Sequence, residues 1–193
     1  MKTYSNDPVV SVVSNADLAE WIGIDSSDPL LTDLGISATQ LVIDHLQSEL
    51  VTRERVVIYS DWPKSGTDTS PSLSPANQYF EQDIYLPGGN LIGVNEVLIY
   101  GEAVTDFHVM GFVPGRIRID IAVNWIDNED AIKVTYDAGF GQIADVPSGI
   151  KLAVKLLAGY IYEHRGACDM TMAFNKSGAA QFLTPYRTNL VTL

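Results

Sequence analysis

The sequence predicts an α+β fold, in which a small helical bundle carries an antiparallel β module inserted between its second and third main helices. Three observations support this prediction. In the first fifty residues, apolar side chains recur at spacings typical of helices. Short runs of β-branched and aromatic residues follow from Arg53, and helical spacing returns at Pro147. We therefore expect helices over 1–52, the β module over 53–146, and C-terminal helices with an extended tail over 147–193.

Two helices are predicted in the N-terminal segment. The first is capped by Ser14 or Asn15, whose side chains can accept hydrogen bonds from the free N–H groups of a helix start, and it ends at Gly23. The second begins at Asp28-Pro29, because proline suits the first helical position, and its apolar stripe continues to about Leu50. Both helices present an apolar face for packing in a bundle.

The middle segment has the short runs and closely spaced turn residues of an antiparallel sheet or small barrel. A stretch rich in Ser, Thr, Pro and Gly at 63–78 has no periodicity and is predicted to be a long exposed loop. A turn at Pro114-Gly115 separates two of the runs. The predicted strands are residues 55–59, 82–86, 94–100, 107–112, 116–123 and 132–136.

The longest C-terminal helix is predicted to begin at Pro147 and to end at Gly166. Its apolar face is wide, which predicts burial either among other helices or against a neighbouring subunit. This face comprises Ile150, Ala153, Val154, Leu157, Ala158 and Ile161. A short helix at 178–184 precedes Pro185. The last six residues contain no acidic side chain and are expected to be extended: Thr188, Asn189, Leu190, Val191, Thr192 and Leu193.

The chain is acidic, with a net charge of −12. Residues 1–50 have one basic and eight acidic side chains, residues 51–146 have six and fourteen, and residues 147–193 have five and two, giving −7, −8 and +3. Tight binding to DNA requires clustered Lys and Arg, so we predict weak DNA binding. The basic C-terminal segment indicates either an unevenly charged solvated surface or a second surface with a different partner.

Nothing in the sequence predicts export. The N-terminal residues are polar and lack the apolar run of a signal peptide, and the apolar stretches are too short to span a membrane. Cys168 is the single cysteine, so no internal disulfide is expected. We therefore expect synthesis in a reducing cytoplasm and no membrane partner.

Gly139, Gly141 and Ala144 match the glycine pattern of dinucleotide-binding folds, and they follow a predicted strand. In those folds the glycines lead directly into a helix whose N-terminus binds the pyrophosphate. Here the next helix begins only at Pro147, and no second parallel strand with an acidic end follows it. We predict that the two glycines shape a turn leaving the sheet, and that the chain binds no nucleotide cofactor.

Residue types that bind metals or catalyse reactions are scattered along the chain. His45, His108 and His164 form no HxxxH pair, and the acidic run at 127–130 lacks the spacing of a calcium loop. The sequence contains no nucleophile elbow and no phosphate-binding loop. Two carboxylates meeting in a cleft for acid–base chemistry stay an open alternative. We predict no enzymatic activity, no catalytic residue, no cofactor and no metal site.

Four short motifs occur together in the C-terminal part. Val134-Thr135-Tyr136-Asp137-Ala138-Gly139-Phe140-Gly141 ends a strand, and Val146-Pro147 with Ile150-Lys151 begins a helix. Tyr162-Glu163-His164-Arg165 ends that helix, and Leu183-Thr184-Pro185-Tyr186-Arg187 follows. In these motifs the sequence resembles the head–tail connector (adaptor) family of tailed bacteriophages and related gene transfer agents. The positions that carry the resemblance are Tyr136, Gly139, Gly141, Pro147, Ile150, Tyr162, Glu163, Arg165, Pro185, Tyr186 and Arg187.

The resemblance implies a structural protein of the virion neck, between capsid and tail. Members of the family form a homo-oligomeric ring, usually a dodecamer, beneath the portal protein, and they join it to a tail-side neck or head-completion protein. DNA passes through the central channel without tight binding. Relatives use their C-terminal ends at the portal, which makes residues 188–193 the portal-docking candidates. The alternatives are another neck component, such as a head-completion or tail-completion protein, or a carbohydrate-active β module.

Overall fold

The computed structural model describes residues 1–60, 83–119, 131–165 and 170–187. These residues form two compact units, one of Met1–Asp7 with the described residues of Arg53–Gly139, and one of Pro8–Thr52 with the described residues from Phe140 to Arg187. The first unit consists of antiparallel strands and the second of helices, which confirms the predicted α+β class. The predicted loop at 63–78, the acidic run at 127–130, Gly166, Cys168 and residues 188–193 lie outside the described residues.

The helical unit begins with a short helix that has the predicted caps. The Ser14 hydroxyl accepts a hydrogen bond of 3.1 Å from the backbone N–H of Asp17, and Gly23 ends the helix in the left-handed conformation at a φ of 79°. The helices of this unit are α1 Asn15–Ile22, α2 Leu30–Leu46, α3 Ser148–Glu163, α4 Met170–Lys176 and α5 Ala179–Leu183, with short 3₁₀ turns at Ile143–Asp145 and Thr184–Tyr186.

The predicted end of α2 near Leu50 is wrong, because the helix ends at Leu46. Gln47 takes a left-handed conformation with a φ of 54°, and its N–H bonds back to the carbonyl of Ile43. Leu50 lies outside the helix but is fully buried in the apolar core of the helical unit. Its apolar character therefore reflects burial of the segment after the helix rather than another helical turn.

The core of the helical unit is built around α2 and α3. Val42 from α2 and Ile150, Val154 and Leu157 from α3 are completely buried in one apolar cluster. Gly35 allows α2 to approach the segment before α1, since a Cβ at this position would lie 2.6 Å from the Ser11 hydroxyl oxygen.

Within the described residues, no helix is long and apolar enough to cross a membrane.

The described residues of the β unit form two antiparallel sheets. The strands are β1 Lys2–Ser5, β2 Arg53–Tyr59, β3 Asp83–Leu86, β4 Leu91–Ile99, β5 Glu102–Ala103, β6 Phe107–Phe112, β7 Gly115–Ile119 and β8 Ile132–Ala138. The first sheet has the strand order β1-β2-β8-β4-β5, and the second has the order β3-β7-β6. The central strand β8 pairs on both sides, so that Val134 lies opposite Val57 of β2 and Val97 of β4.

The β unit differs at both of its boundaries from the β module that the sequence predicts. Met1–Asp7 belongs to the β unit through β1, which pairs with β2 at the edge of the larger sheet. Residues 140–146 belong to the helical unit, although the sequence pattern extended the β module to residue 146. The connection between the last strand and α3 is therefore part of the helical unit.

Candidate functional site

The chain between β8 and α3 makes a tight turn that depends on glycine. Gly139 and Gly141 have φ angles of 142° and 119°, which L side chains rarely adopt. A Cβ at Gly141 would lie 2.6 Å from a carboxylate oxygen of Asp145. That carboxylate accepts a hydrogen bond of 2.8 Å from the N–H of Gln142 and so holds the turn closed. The dinucleotide pattern is therefore a turn, and α3 begins only at Ser148.

The wide apolar face of α3 packs mainly inside the chain's own core. Ile150, Val154 and Leu157 have no exposed surface, and Ile161 is half-buried. Of the two explanations for this face, burial among other helices is confirmed. The idea that Val154 and Leu157 form part of a contact between subunits is wrong, because the helices of the same chain already cover them.

The closing motif folds back on the start of α3. Tyr186 lies edge-on to Phe140, with ring centroids 6.5 Å apart. A Cβ at Gly149, in the first turn of α3, would lie 3.2 Å from the Tyr186 hydroxyl oxygen. Pro185 sits in the 3₁₀ turn that positions this tyrosine, and Leu183 before it is fully buried. These motif residues therefore join the end of the described chain to the start of α3.

Arg187 and His45 interact electrostatically in the helical unit. The imidazole of His45 stacks on Phe174 with 4.4 Å between ring centroids. Burial lowers the pKa of His45 below its ordinary value, and the positive charge of Arg187 lowers it further. Both effects favour the neutral imidazole, which suits a structural residue that packs against an aromatic ring.

The motif residues at the end of α3 form a separate group. The guanidinium carbon of Arg165 lies 4.2 Å from the ring centroid of Tyr162, which is a cation–π contact. Tyr160, two residues before Tyr162, stacks on His164 at 4.1 Å between ring centroids. Glu163 is exposed between these two pairs. The aromatic and basic side chains thus contact one another at an exposed helix end.

The remaining motif positions are structural within their own units. Tyr136 is fully buried in the β unit, and its hydroxyl donates a hydrogen bond to the carbonyl of Pro87. Pro147 occupies the N-cap position of α3, one residue before its first turn. The resemblance-carrying positions therefore fall into separate clusters and form no single pocket.

A groove of about 470 Å³ opens on the surface of the helical unit, between α1, the first half of α3 and the turn before α3. Trp21 and Ile143 stand at its edge with 48% and 44% of their surface exposed. The indole of Trp21 lies over Gly159, where a Cβ would come within 3.4 Å of the ring nitrogen. The apolar side chains that line the groove are Val12, Val13, Trp21, Ile143 and Leu152.

The charged side chains of the groove are held by neighbouring groups. The Lys155 amino group lies 3.6 Å from a carboxylate oxygen of Asp17, and the Lys151 amino group donates to the carbonyl of Ala144 at 3.3 Å. A hydrogen bond from the Ser14 hydroxyl and the charge of Lys155 lower the pKa of Asp17. The groove is therefore apolar at its walls and carries positioned lysines along one side.

The β6–β7 hairpin exposes the largest run of apolar side chains in the described β unit. The β7 side chains Ile117 and Ile119 are fully buried. Four apolar side chains of β6 and of the turn after it are instead 40–62% exposed: Val109, Met110, Phe112 and Val113. Clusters of exposed apolar side chains mark interaction surfaces in proteins.

Sequence reasoning did not identify either surface. The hairpin carries a local signal, since the residues from Val109 to Val113 do not alternate between apolar and polar as a half-buried strand should. The groove carries none, because its lining residues come from three separate segments. Within the described part of the chain, no three His, Cys, Asp or Glu side chains lie close enough to hold a metal ion. The portal-docking candidates at 188–193 lie outside that part.

Three solved structures of gene transfer agent particles contain a chain with a similar fold. One of them is the neck of the native gene transfer agent particle, computed with C12 symmetry. The alignment covers 99% of this chain and 97% of the neck chain, with a TM-score of 0.70 and 18% identity. For the neck of the empty particle, computed with C6 symmetry, the coverages are the same, with a TM-score of 0.73 and 17% identity. The chain has the fold of a gene transfer agent neck protein.

A third match, in the virion of the native gene transfer agent particle, has a TM-score of 0.65 and 19% identity over the same shares of both chains. This neck-protein fold extends over both the helical and the β unit. It confirms, at the level of the fold, the resemblance to the connector family that the sequence motifs indicated. No protein-family model and no curated protein sequence matches the chain.

Proposed function

We propose that the chain is a structural subunit of the neck of a phage-like particle, a head–tail connector (adaptor) that forms a ring beneath the portal. The observation that carries this proposal is the match to gene transfer agent neck chains over 99% of the length, at TM-scores of 0.65–0.73. A match of this extent spans almost the whole chain, which supports a single structural role for the two units.

The symmetry of the similar neck supports a ring of twelve copies, since one of those structures was computed with C12 symmetry. A ring requires a heterologous interface, in which two different surfaces of neighbouring copies meet. The proposed role is structural and involves no catalysis, and the protein's proposed location is the virion neck. The net charge of −12 suits a channel wall that repels phosphate and lets DNA pass.

The partners follow from this position. The ring contacts the portal protein on the head side and a tail-side neck or head-completion protein on the other. Residues 188–193 are the proposed portal-docking segment, because they follow the closing motif, contain no acidic side chain and belong to a segment with a net charge of +3. A head-completion or tail-completion protein is the second candidate, since the similar structures are whole necks and virions.

Co-sedimentation with the purified portal of the same particle separates the two candidates. The adaptor assignment predicts that the chain sediments with the portal, and that a chain ending at residue 187 folds normally but does not. Circular dichroism of the shortened chain is the control for folding. If the full chain binds only tail-side neck proteins, the head- or tail-completion assignment replaces the adaptor. If the shortened chain still binds the portal with unchanged affinity, the docking segment lies elsewhere.

A further inference from the structure

The described residues leave two apolar surfaces exposed. The first is the β6–β7 hairpin, where Phe112 and Val113 are 59% and 62% exposed at the turn. The groove on the helical unit is concave, and its walls include Val12, Val13 and Leu152. In the single chain the hairpin side chains remain exposed and the groove remains open. In protein interfaces, an exposed apolar side chain on one partner often anchors the contact by filling an apolar cleft on the other.

The charges of the two surfaces are compatible. The tip from Met110 to Gly115 contains no charged residue, so its insertion brings no charge into the groove. The groove lysines already interact with Asp17 and the Ala144 carbonyl, and an apolar insert leaves those contacts in place. An ammonium group has three donors, so Lys151 can also bind an acidic partner at the groove edge. Glu102 and Asp106 are exposed just before β6 and supply such acidic groups.

We propose that the β6–β7 hairpin of one copy inserts Phe112 and Val113 into the α1–α3 groove of the next copy, where they pack between Trp21 and Leu152. This inference rests on the proposed function, because it assigns the contact between neighbours in the ring. A second copy is the occupant that the surfaces favour, since every copy brings one hairpin and one groove. The contact is heterologous, and it continues from copy to copy until the ring closes.

The hairpin acts as an anchor of this interface rather than as the whole of it. A stable interface buries about 800 Å² on each partner, which is more than a hairpin tip supplies. Buried aromatic side chains contribute a large part of the binding energy when they fill a pocket and are surrounded by contacts that exclude water. Phe112 on the hairpin and Trp21 at the groove edge are therefore expected to dominate the contact.

Two variants test the two halves separately. The hairpin variant carries Phe112→Asp and Val113→Asp, and the groove variant carries Ile143→Glu and Leu152→Glu. Ile92→Asp is the matched control, because Ile92 is a β4 side chain that is 49% exposed and lies outside the hairpin. We expect the control to form rings, alone or on the portal, as the wild type does. Each variant should instead remain monomeric by mass photometry, with an unchanged circular dichroism spectrum.

Mixing the two variants gives the decisive result. The hairpin variant keeps an intact groove and the groove variant keeps an intact hairpin, so the mixture should form one-to-one dimers that cannot extend. Failure of the mixture to pair would overturn the inference, as would rings formed by the hairpin variant at wild-type concentrations. A wild-type chain that forms no ring and binds no portal would overturn the proposed function as well. Rings of the wild type that tolerate the hairpin substitutions would overturn this inference alone.

Discussion

Tyr186 lies against Phe140 at an interplanar angle of 87°, in the edge-to-face geometry that aromatic pairs prefer. This pair joins the last described turn of the chain to the turn that precedes α3. The 3₁₀ turn that carries Tyr186 ends two residues before Thr188, where the proposed portal-docking segment begins in the sequence. The pair therefore fixes the last described turn before that segment.

Tyr186→Ala should destabilise the helical unit by about 2 kcal/mol, because it removes the aromatic pair and the packing on Gly149. Tyr186→Phe keeps the ring and is the matched control, with an expected cost below about 1 kcal/mol. Urea unfolding followed by circular dichroism measures both values. Equal stability of the alanine variant and the wild type would show that the Tyr186–Phe140 pair does not stabilise the helical unit.

Gly141→Val should destabilise the fold by about 2 kcal/mol or more, because the position has a φ of 119° and a Cβ there meets the Asp145 carboxylate. Gly93→Ala is the control, since no atom lies within 4 Å of a Cβ at that position and its backbone conformation is ordinary. Thermal unfolding compares the two variants. Saturable NAD binding by the wild type, abolished in Gly141→Val, would contradict the assignment of these glycines to a turn.

The caps of α1 and the return of helical spacing at Pro147 could be predicted because they depend on local chemistry. Ser14 and Gly23 act on their own helix, so their roles are visible in a short stretch of sequence. Strand β1 could not be predicted in this way. Its residues are mostly exposed at a sheet edge, and their conformation depends on pairing with β2, some fifty positions away. Helix α4 was not predicted from the sequence either.

The candidate site depended even more on tertiary structure. The apolar face of α3 suggested a contact between subunits, but sequence periodicity does not distinguish an internal core from an interface, and Val154 and Leu157 belong to the core. The groove brings Val12, Trp21 and Leu152 together from separate segments. Only the folded chain shows which apolar residues remain uncovered, and these are the residues available for assembly.

The free energy of unfolding should fall at alkaline pH because of two buried tyrosines. Burial raises the pKa of Tyr59 and of Tyr136, whose hydroxyls donate to the carbonyls of Tyr85 and Pro87. The folded chain therefore holds these protons more tightly than the unfolded chain does. The stability they contribute is fully present below the unfolded pKa of about 10 and is lost as the pH rises above it.

Tyr136→Phe tests this pH dependence. The variant should lose about 1 kcal/mol at neutral pH, from the missing hydrogen bond to Pro87, and it should show a shallower loss of stability above pH ~10. Chemical unfolding at a series of pH values measures the slope. The same alkaline slope in the variant and the wild type would show that Tyr136 does not contribute to it.

DNA binding by the isolated chain should be weak and should weaken further as salt is added. The 24 acidic side chains outnumber the 12 basic ones, and an acidic surface repels phosphate. A filter-binding titration with duplex DNA at physiological salt measures the affinity. Submicromolar binding that survives added salt would contradict a channel through which DNA passes freely.

Electron microscopy of the chain mixed with the purified portal of the same particle tests the central claim most directly. The account predicts a closed ring of twelve copies stacked coaxially on the portal, with an open central channel. It also predicts density for the β6–β7 hairpin of each copy in the α1–α3 groove of its neighbour. A chain that stays monomeric and leaves the portal undecorated at high concentration would contradict the assignment to the neck ring.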